Sequence, residues 1–265
     1  MQKHNNFSLA LLAALVLQAA FTCSTAYADD TATADNAITP YRPSVSNSAQ
    51  LPVEGQLELE MGIASARTDA ARNQSLPYLF KLAFSKEWGV LLGGSARVIN
   101  DDGAGQRDQG FGDTSLIIKR AFIINDDTAL GLEFGNKFPT AGQPLGSGKS
   151  DWTINGIVSQ DLGKFHVDVN LNATHLGAAD VGTSHWQSGL SSSVSTEVAD
   201  KWNLTAEWAG WRQAGTKNQG QALIALSYSP NKRMTLDAGM TKGLTSASPD
   251  WSWFAGIVIP VAKLW

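Results

Sequence analysis

The chain has 265 residues, with 20 Lys and Arg against 24 Asp and Glu, a formal net charge of −4 and one cysteine. An acidic balance without a basic stretch gives no footing for a nucleic-acid partner, and a lone Cys23 rules out a disulfide framework within the chain. Beyond residue 28 no run of 18 apolar residues occurs, so no transmembrane helix is expected.

Residues 1–28 read as a secretory signal. Lys3 and His4 lie in a polar start, an apolar run extends from Phe7 to Phe21, and Ala26-Tyr27-Ala28 supplies a small-x-small cleavage site. Ala20-Phe21-Thr22 lacks the Leu and small residues that precede a lipidated cysteine, so cleavage after Ala28 is the expectation, and it leaves a mature chain without a thiol. Such a chain suits the bacterial periplasm and outer membrane. Residues 29–52 are polar, rich in Thr, Ala, Ser and Asn, and carry Pro40, Pro43 and Pro52. They read as a periplasmic leader, extended or disordered on its own.

From Gln56 onward, apolar residues recur at every second position. The first segment is Gln56 to Ser65, with Leu57, Leu59, Met61 and Ile63 on one face and Glu58 and Glu60 on the other. Segments around Phe80, Val90, Ile118, Leu132, Ile154, Val169, a Ser-rich weak one around Leu190, then Ala206, Ile224 and Leu236 follow. The last strand alternates from Trp251 to Trp265 and ends on an aromatic residue. That makes twelve strands over residues 53–265, and an even count is what a closed antiparallel transmembrane β-barrel of a bacterial outer membrane requires. The connections sort by parity. Short ones such as Asn125-Asp126-Asp127 alternate with long ones at about 66–74, 99–111, 139–150, 177–185, 212–219 and 241–250, as periplasmic turns and outer loops do. Aromatic residues gather at both strand ends: Trp88, Phe165, Trp202 and Trp265 beside the short turns, Phe138, Trp152 and Trp186 beside the long loops. Two belts at opposite ends are what two membrane–water interfaces select.

If the apolar face meets lipid, the opposite face lines a lumen. This places Glu58, Glu60, Lys119, Glu133, Lys137, His166, Asp168, Asn170, Glu197, Glu207 and Asp237 inside, because ionised groups facing hydrocarbon are costly, about 2–4 kcal/mol for Arg or Lys at the midplane and less near the interfaces. Such a set is either a charged constriction that selects solutes or a salt-bridged filling; twelve strands lie between the filled eight and the open sixteen. Arg120 and Lys263 fall on the outer face near the periplasmic end, within snorkelling reach of the interface.

The run Gly110-Phe111-Gly112-Asp113-Thr114-Ser115-Leu116-Ile117-Ile118-Lys119-Arg120, with Leu130-Gly131-Leu132-Glu133-Phe134-Gly135, Lys137-Phe138-Pro139-Thr140, Gly146-Ser147-Gly148 and Asp151-Trp152, resembles a family of bacterial outer-membrane transporter-like barrels labelled MetA-pathway of phenol degradation. Arg42-Pro43-Ser44 and Gly55-Gln56-Leu57-Glu58-Leu59-Glu60 are similar to that family's opening. The resemblance implies uptake of small aromatic compounds and brings no catalytic residues.

Three other features have bland readings. Gly146-Ser147-Gly148-Lys149-Ser150 is like the end of a phosphate-binding loop, but Gln143 stands where the motif needs glycine and a strand follows instead of a helix, so it reads as an outer loop. His175, and His185 beside Ser184, raise an outer-membrane lipid hydrolase, yet adjacent residues of a strand point to opposite faces and no serine is suitably spaced from His175. Ser188, Ser192 and Thr196 make one outer face poorly apolar. The sequence thus reads as a channel or transporter for small molecules, with a structural or surface-interaction barrel with a plugged lumen as the alternative. Its partners are expected to be outer-membrane lipid, an unidentified small solute and, through the C-terminal strand, the outer-membrane assembly machinery. No metal, cofactor or catalytic residue is expected.

Overall fold

The computed structural model describes residues 37–265; the expected signal sequence and the start of the leader lie outside the described residues. Thirteen strands follow in order: β1 Gln56–Thr68, β2 Ala71–Ala83, β3 Trp88–Asp101, β4 Arg107–Gly110, β5 Thr114–Ile123, β6 Thr128–Phe138, β7 Asp151–Leu162, β8 Phe165–His175, β9 Trp186–Ala199, β10 Trp202–Gln213, β11 Gln219–Asn231, β12 Met234–Gly243 and β13 Trp251–Lys263. Twelve of them close into one antiparallel barrel: β5 to β13 pair in chain order, β13 pairs with β1, β1 with β2, β2 with β3, and β3 with β5. The remaining strand, β4, pairs only with the far end of β3 and forms a ribbon in the loop that precedes β5. Closure leaves no wall strand with an unpaired edge, the condition for crossing hydrocarbon with strands.

The period-two pattern decides which side meets lipid. Along β6, Leu130, Leu132 and Phe134 are exposed and alternate with buried Ala129, Gly131 and Glu133. The same holds around the ring, where Leu92, Ile118, Ile154, Leu171, Ile224 and Met240 all lie on the exterior. An apolar surface that encircles a whole barrel is far larger than a soluble monomer exposes, and hydrocarbon is the solvent it fits. Trp88, Phe165 and Trp202 stand on the exterior at the short-turn end, where the exposed Trp265 lies beside Gly55; Phe138, Trp152 and Trp186 stand at the long-loop end. Trp202 packs on Tyr228 at 4.8 Å and Trp152 on Phe134 at 5.4 Å. Arg120 lies over Trp88 and Phe122 and bonds Glu87 at 3.2 Å, so its charge is held at the interface.

Two local details depart from the sequence reading. The first outer connection, expected to be long, is a two-residue turn. β1 and β2 stay paired as far as Thr68 and Ala71, and Asp69 takes φ 48° to turn the chain, a conformation Asp tolerates. The last strand does not alternate without a break: Leu57 pairs with Ala262 but Glu58 pairs with Pro260, so Val261 is an extra residue, a β-bulge. Pro260, which donates no amide hydrogen, sits at this irregularity. The extra residue reverses the parity beyond it. Lys263, expected outward, is therefore paired with the inward Gln56, and its Nζ bonds the Glu54 carbonyl.

The interior has a polar core built on residues 37–52. The sequence reading placed this segment in the periplasm; its described part runs inside the barrel. Ile38 N bonds the Lys232 carbonyl in the β11–β12 turn, and Gly55 N bonds Ala83 O at the β2 end, so the segment enters and leaves by the short-turn end. Ala49 packs with Ala129 and Ile157 of the wall. Wall glycines make room, Gly62 and Gly256 for Arg42, Gly89 for Leu51 and Gly131 for Ala49. A Cβ at Gly256 would lie 2.5 Å from the Arg42 guanidinium, and one at Gly131 would lie 3.1 Å from Ala49 Cα.

Candidate functional site

The wall presents carboxylates and amides to the lumen because the alternation of β1, β6, β8, β10 and β12 turns their polar residues inward, and the inserted segment meets them mainly with its backbone. Thr39 N donates to Glu58, while Tyr41 N at 2.7 Å and Arg42 N at 3.2 Å donate to Glu60. Val45 N at 2.7 Å, Ser46 N at 2.9 Å and Ser46 Oγ at 3.0 Å converge on Glu207. Asn47 N donates to Asn170 Oδ1, Asn170 Nδ2 returns a bond to Asn47 O, and Asn47 Nδ2 donates to Glu133 at 3.0 Å. Ala49 N donates to Ser159 Oγ. Ion pairs complete the set: Arg42 to Asp237 at 2.8 Å, Lys81 to Glu58 at 3.0 Å and to Glu60 at 2.6 Å, Lys119 to Glu133 at 3.1 Å. Lys81 and Lys119 also reach the Thr39 and Ser48 carbonyls, and Ser191 Oγ donates to Ser46 Oγ, whose own hydrogen goes to Glu207.

At the centre lies Tyr41, only 4% exposed. Its ring is flanked by Lys81 Nζ at 4.2 Å and Lys119 Nζ at 4.1 Å, a cation–π contact on each side, and its hydroxyl donates to Gln50 O at 2.6 Å. Burial, reinforced by Glu133, Glu60 and Glu58, pushes the phenol well above its ordinary pKa, so Tyr41 remains a neutral donor. Lys81 and Lys119 are fully buried, and buried charge is tolerated here because every carboxylate that faces it has a partner.

These bonds bring Glu58, Glu60, Lys119, Glu133, Asn170, Glu207 and Asp237 together on one segment. Asp168 bonds Ser159, the acceptor of Ala49, and so stands one step behind it. The other inward residues lie away from it. Lys137 is near the long loops and is bridged to Asp113 at 3.1 Å and Asp151 at 2.8 Å. His166 is at the short-turn end between Asp161 at 2.5 Å and Asp168 at 3.3 Å. Glu197 is exposed at the same rim, opposite Asn203. The sequence reading missed Lys81, Asn155, Ser159 and Ser191, whose parity on β2, β7 and β9 carries the same signal as their neighbours, and it missed Tyr41, Ser46 and Asn47, which carry no periodic signal at all.

The segment bonds nine of the twelve wall strands and divides the lumen. Below it, a cavity of about 450 Å³ opens among Thr39, Ser44, His166, Ser195 and Thr205. Above it, a cavity of about 230 Å³ is bordered by Asn47, Asn155, Asn172, Ser191 and Trp211. On the exterior, His175 stacks on His185 at 5.6 Å and meets Trp186 edge-on at 5.1 Å, while His185 Nδ1 bonds the Leu176 carbonyl at 2.6 Å. The Ser184 hydroxyl accepts from Trp186 N, so neither imidazole is paired with a serine among the described residues.

A closed twelve-stranded barrel with an apolar, aromatic-belted exterior and a polar interior is the architecture of bacterial outer-membrane channels. Solved structures agree on the fold. The chain is similar to the COG4313 outer membrane channel from Pseudomonas putida F1, with 14% identity over 86% of this chain and 99% of that one, TM-score 0.62. The NanC porin, at 9% identity over 77% of this chain and 100% of that one, gives 0.55, and the KdgM porin, at 10% over 77% and 99%, gives 0.53. No family model matches, and no curated protein matches by sequence, so the phenol-degradation label has no support beyond the short motifs that suggested it.

Proposed function

We propose that the protein is an outer-membrane channel for small polar solutes, gated by residues 37–52. The observation that carries this reading is the mode of attachment: the segment crosses the lumen on hydrogen bonds and ion pairs to the wall, with only Tyr41, Ala49 and Pro52 buried among its described apolar and aromatic residues. Such contacts exchange for water at a net cost of about 0.5–1.5 kcal/mol for a neutral bond and about 1.5–3 kcal/mol for one to a charged group, so the segment can trade its wall partners for water as it leaves. The aromatic-solute reading rests on the family likeness alone, since charged, amide and hydroxyl groups dominate the lumen wall. The fold it shares with outer-membrane channels and porins supports the channel reading.

The test is planar-bilayer recording of the mature chain carrying Ser46→Cys with Ser191→Cys, whose hydroxyls lie 2.9 Å apart. The oxidised protein is expected to be silent, and reduction is expected to restore the channel events seen in the unmodified chain. If the unmodified and reduced proteins conduct no ion in any bilayer, the barrel is a closed structural element and the channel reading fails.

A further inference from the structure

The cavity on the long-loop side of the inserted segment has a chemistry of its own. Its ionised groups are already engaged. Glu133 accepts from Lys119 at 3.1 Å, from Asn47 at 3.0 Å and from Asn155 at 2.9 Å. Lys137 is bridged by Asp113 and Asp151. What remains unsatisfied is uncharged. Asn155 is 93% buried (7% exposed), gives its amide hydrogens to Glu133 and Asn170, and leaves Oδ1 without a partner among the described residues. A buried acceptor with no donor costs about 1–3 kcal/mol, so this carbonyl is suited to accept from a hydroxyl or an N–H. Asn172 and Ser191 add further uncharged hydrogen-bonding groups on the same wall, and Trp211, inward on β10, adds the one indole that lines the space. At about 230 Å³ the cavity lies below the usual range for drug-sized ligands, which limits an occupant to a single ring.

Resting on the gated-channel reading, we propose that this cavity is a recognition site for an uncharged, hydroxyl-rich, single-ring solute, a monosaccharide in its chemistry, and that its occupation releases the gate. Several amides call for several hydroxyls, whereas a phenol offers one. An acid brings its carboxylate toward Glu133 and is repelled. The indole takes the less polar face of the ring. Release follows from shared partners. Glu133, Asn170 and Ser191 border the cavity, and the same three side chains hold Asn47 and Ser46. Solute hydroxyls that bond these groups compete directly with the segment, so binding favours its departure.

The mature chain in lipid nanodiscs is tested for direct binding by saturation-transfer NMR with D-glucose, D-galactose, D-glucuronate and phenol, and the same solutes are added during bilayer recording. At least one neutral sugar is expected to bind saturably at millimolar concentration and to raise the open fraction, with glucuronate and phenol weaker by at least about tenfold. Trp211→Leu is expected to weaken the sugar by about tenfold or more; Trp211 makes none of the segment's bonds, so this variant keeps the gate. Asn155→Asp, which keeps the side chain's shape and adds charge, serves as the second variant and is expected to lower affinity as well. Absence of binding by both neutral sugars, or binding that survives both substitutions, overturns the site while channel events continue. Binding without a rise in open fraction overturns the release. A protein that binds sugar but never conducts overturns the channel reading and leaves the site standing.

Discussion

Glu207 is the wall residue whose loss bears most directly on the gate. Its carboxylate receives three hydrogen bonds from the inserted segment, from Val45 N, Ser46 N and Ser46 Oγ, at 2.7, 2.9 and 3.0 Å. A bond to a charged group contributes roughly 1.5–3 kcal/mol net, but the freed amides recover water when the segment leaves, so about 3 kcal/mol is a fair figure for the set. At 1.4 kcal/mol per factor of ten, Glu207→Ala is expected to raise the ratio of open to closed channels about 100-fold. Single-channel recording at fixed voltage reads this ratio directly. Glu197→Ala is the control, since Glu197 is exposed at the short-turn rim and takes no part in the segment's bonds. Retained heat-dependent gel mobility shows that the barrel still folds. An open fraction for Glu207→Ala within about threefold of the parent, in a folded barrel, refutes the claim that these bonds hold the lumen shut.

Two further outcomes follow from the buried charges. Lys119→Met leaves Glu133 without its cation at 3.1 Å, so unfolding in detergent is expected to become easier by about 3–5 kcal/mol, and adding Glu133→Gln is expected to recover most of that; single and double variants equal to the parent within about 1 kcal/mol refute it. Tyr41 binds its proton more tightly when docked than when free. Docking is therefore unaffected below the free phenol's pKa and weakens as pH rises from there toward the raised docked value. Ultraviolet titration is expected to show one tyrosine that ionises well after the others and disappears in Tyr41→Phe. A parent in which all tyrosines titrate together contradicts it.

Much of the barrel was readable from residues alone because a membrane wall imposes a period of two and sorts its loops and aromatics by end. β6 illustrates this: Leu130, Leu132 and Phe134 face out, and Glu133 faces in. The bulge at Val261 was not readable, since one inserted residue leaves composition unchanged and only pairing with β1 reveals it. Nor was the course of residues 37–52. Thr39, Tyr41, Val45 and Ser46 attach through main-chain N–H groups, which every non-proline residue has, so the attachment leaves no side-chain pattern to detect. The wall half of the same interaction was visible as Glu58, Glu60 and Glu207, but carboxylates facing inward do not announce what they bind. Lys81 was legible by parity and was passed over beside the aromatic Phe80.

The inserted segment ties Glu58 and Glu60 on β1 to Asp237 on β12, and Arg42 rests over Phe254 of β13 between them. The barrel's first and last strands meet at this seam, so the segment acts as a clasp across the join. Its full complement of anchors exists only after the ring has shut. A fully fastened clasp therefore requires a closed join, and each of its bonds to β1 and β12 holds the two sides of that join together.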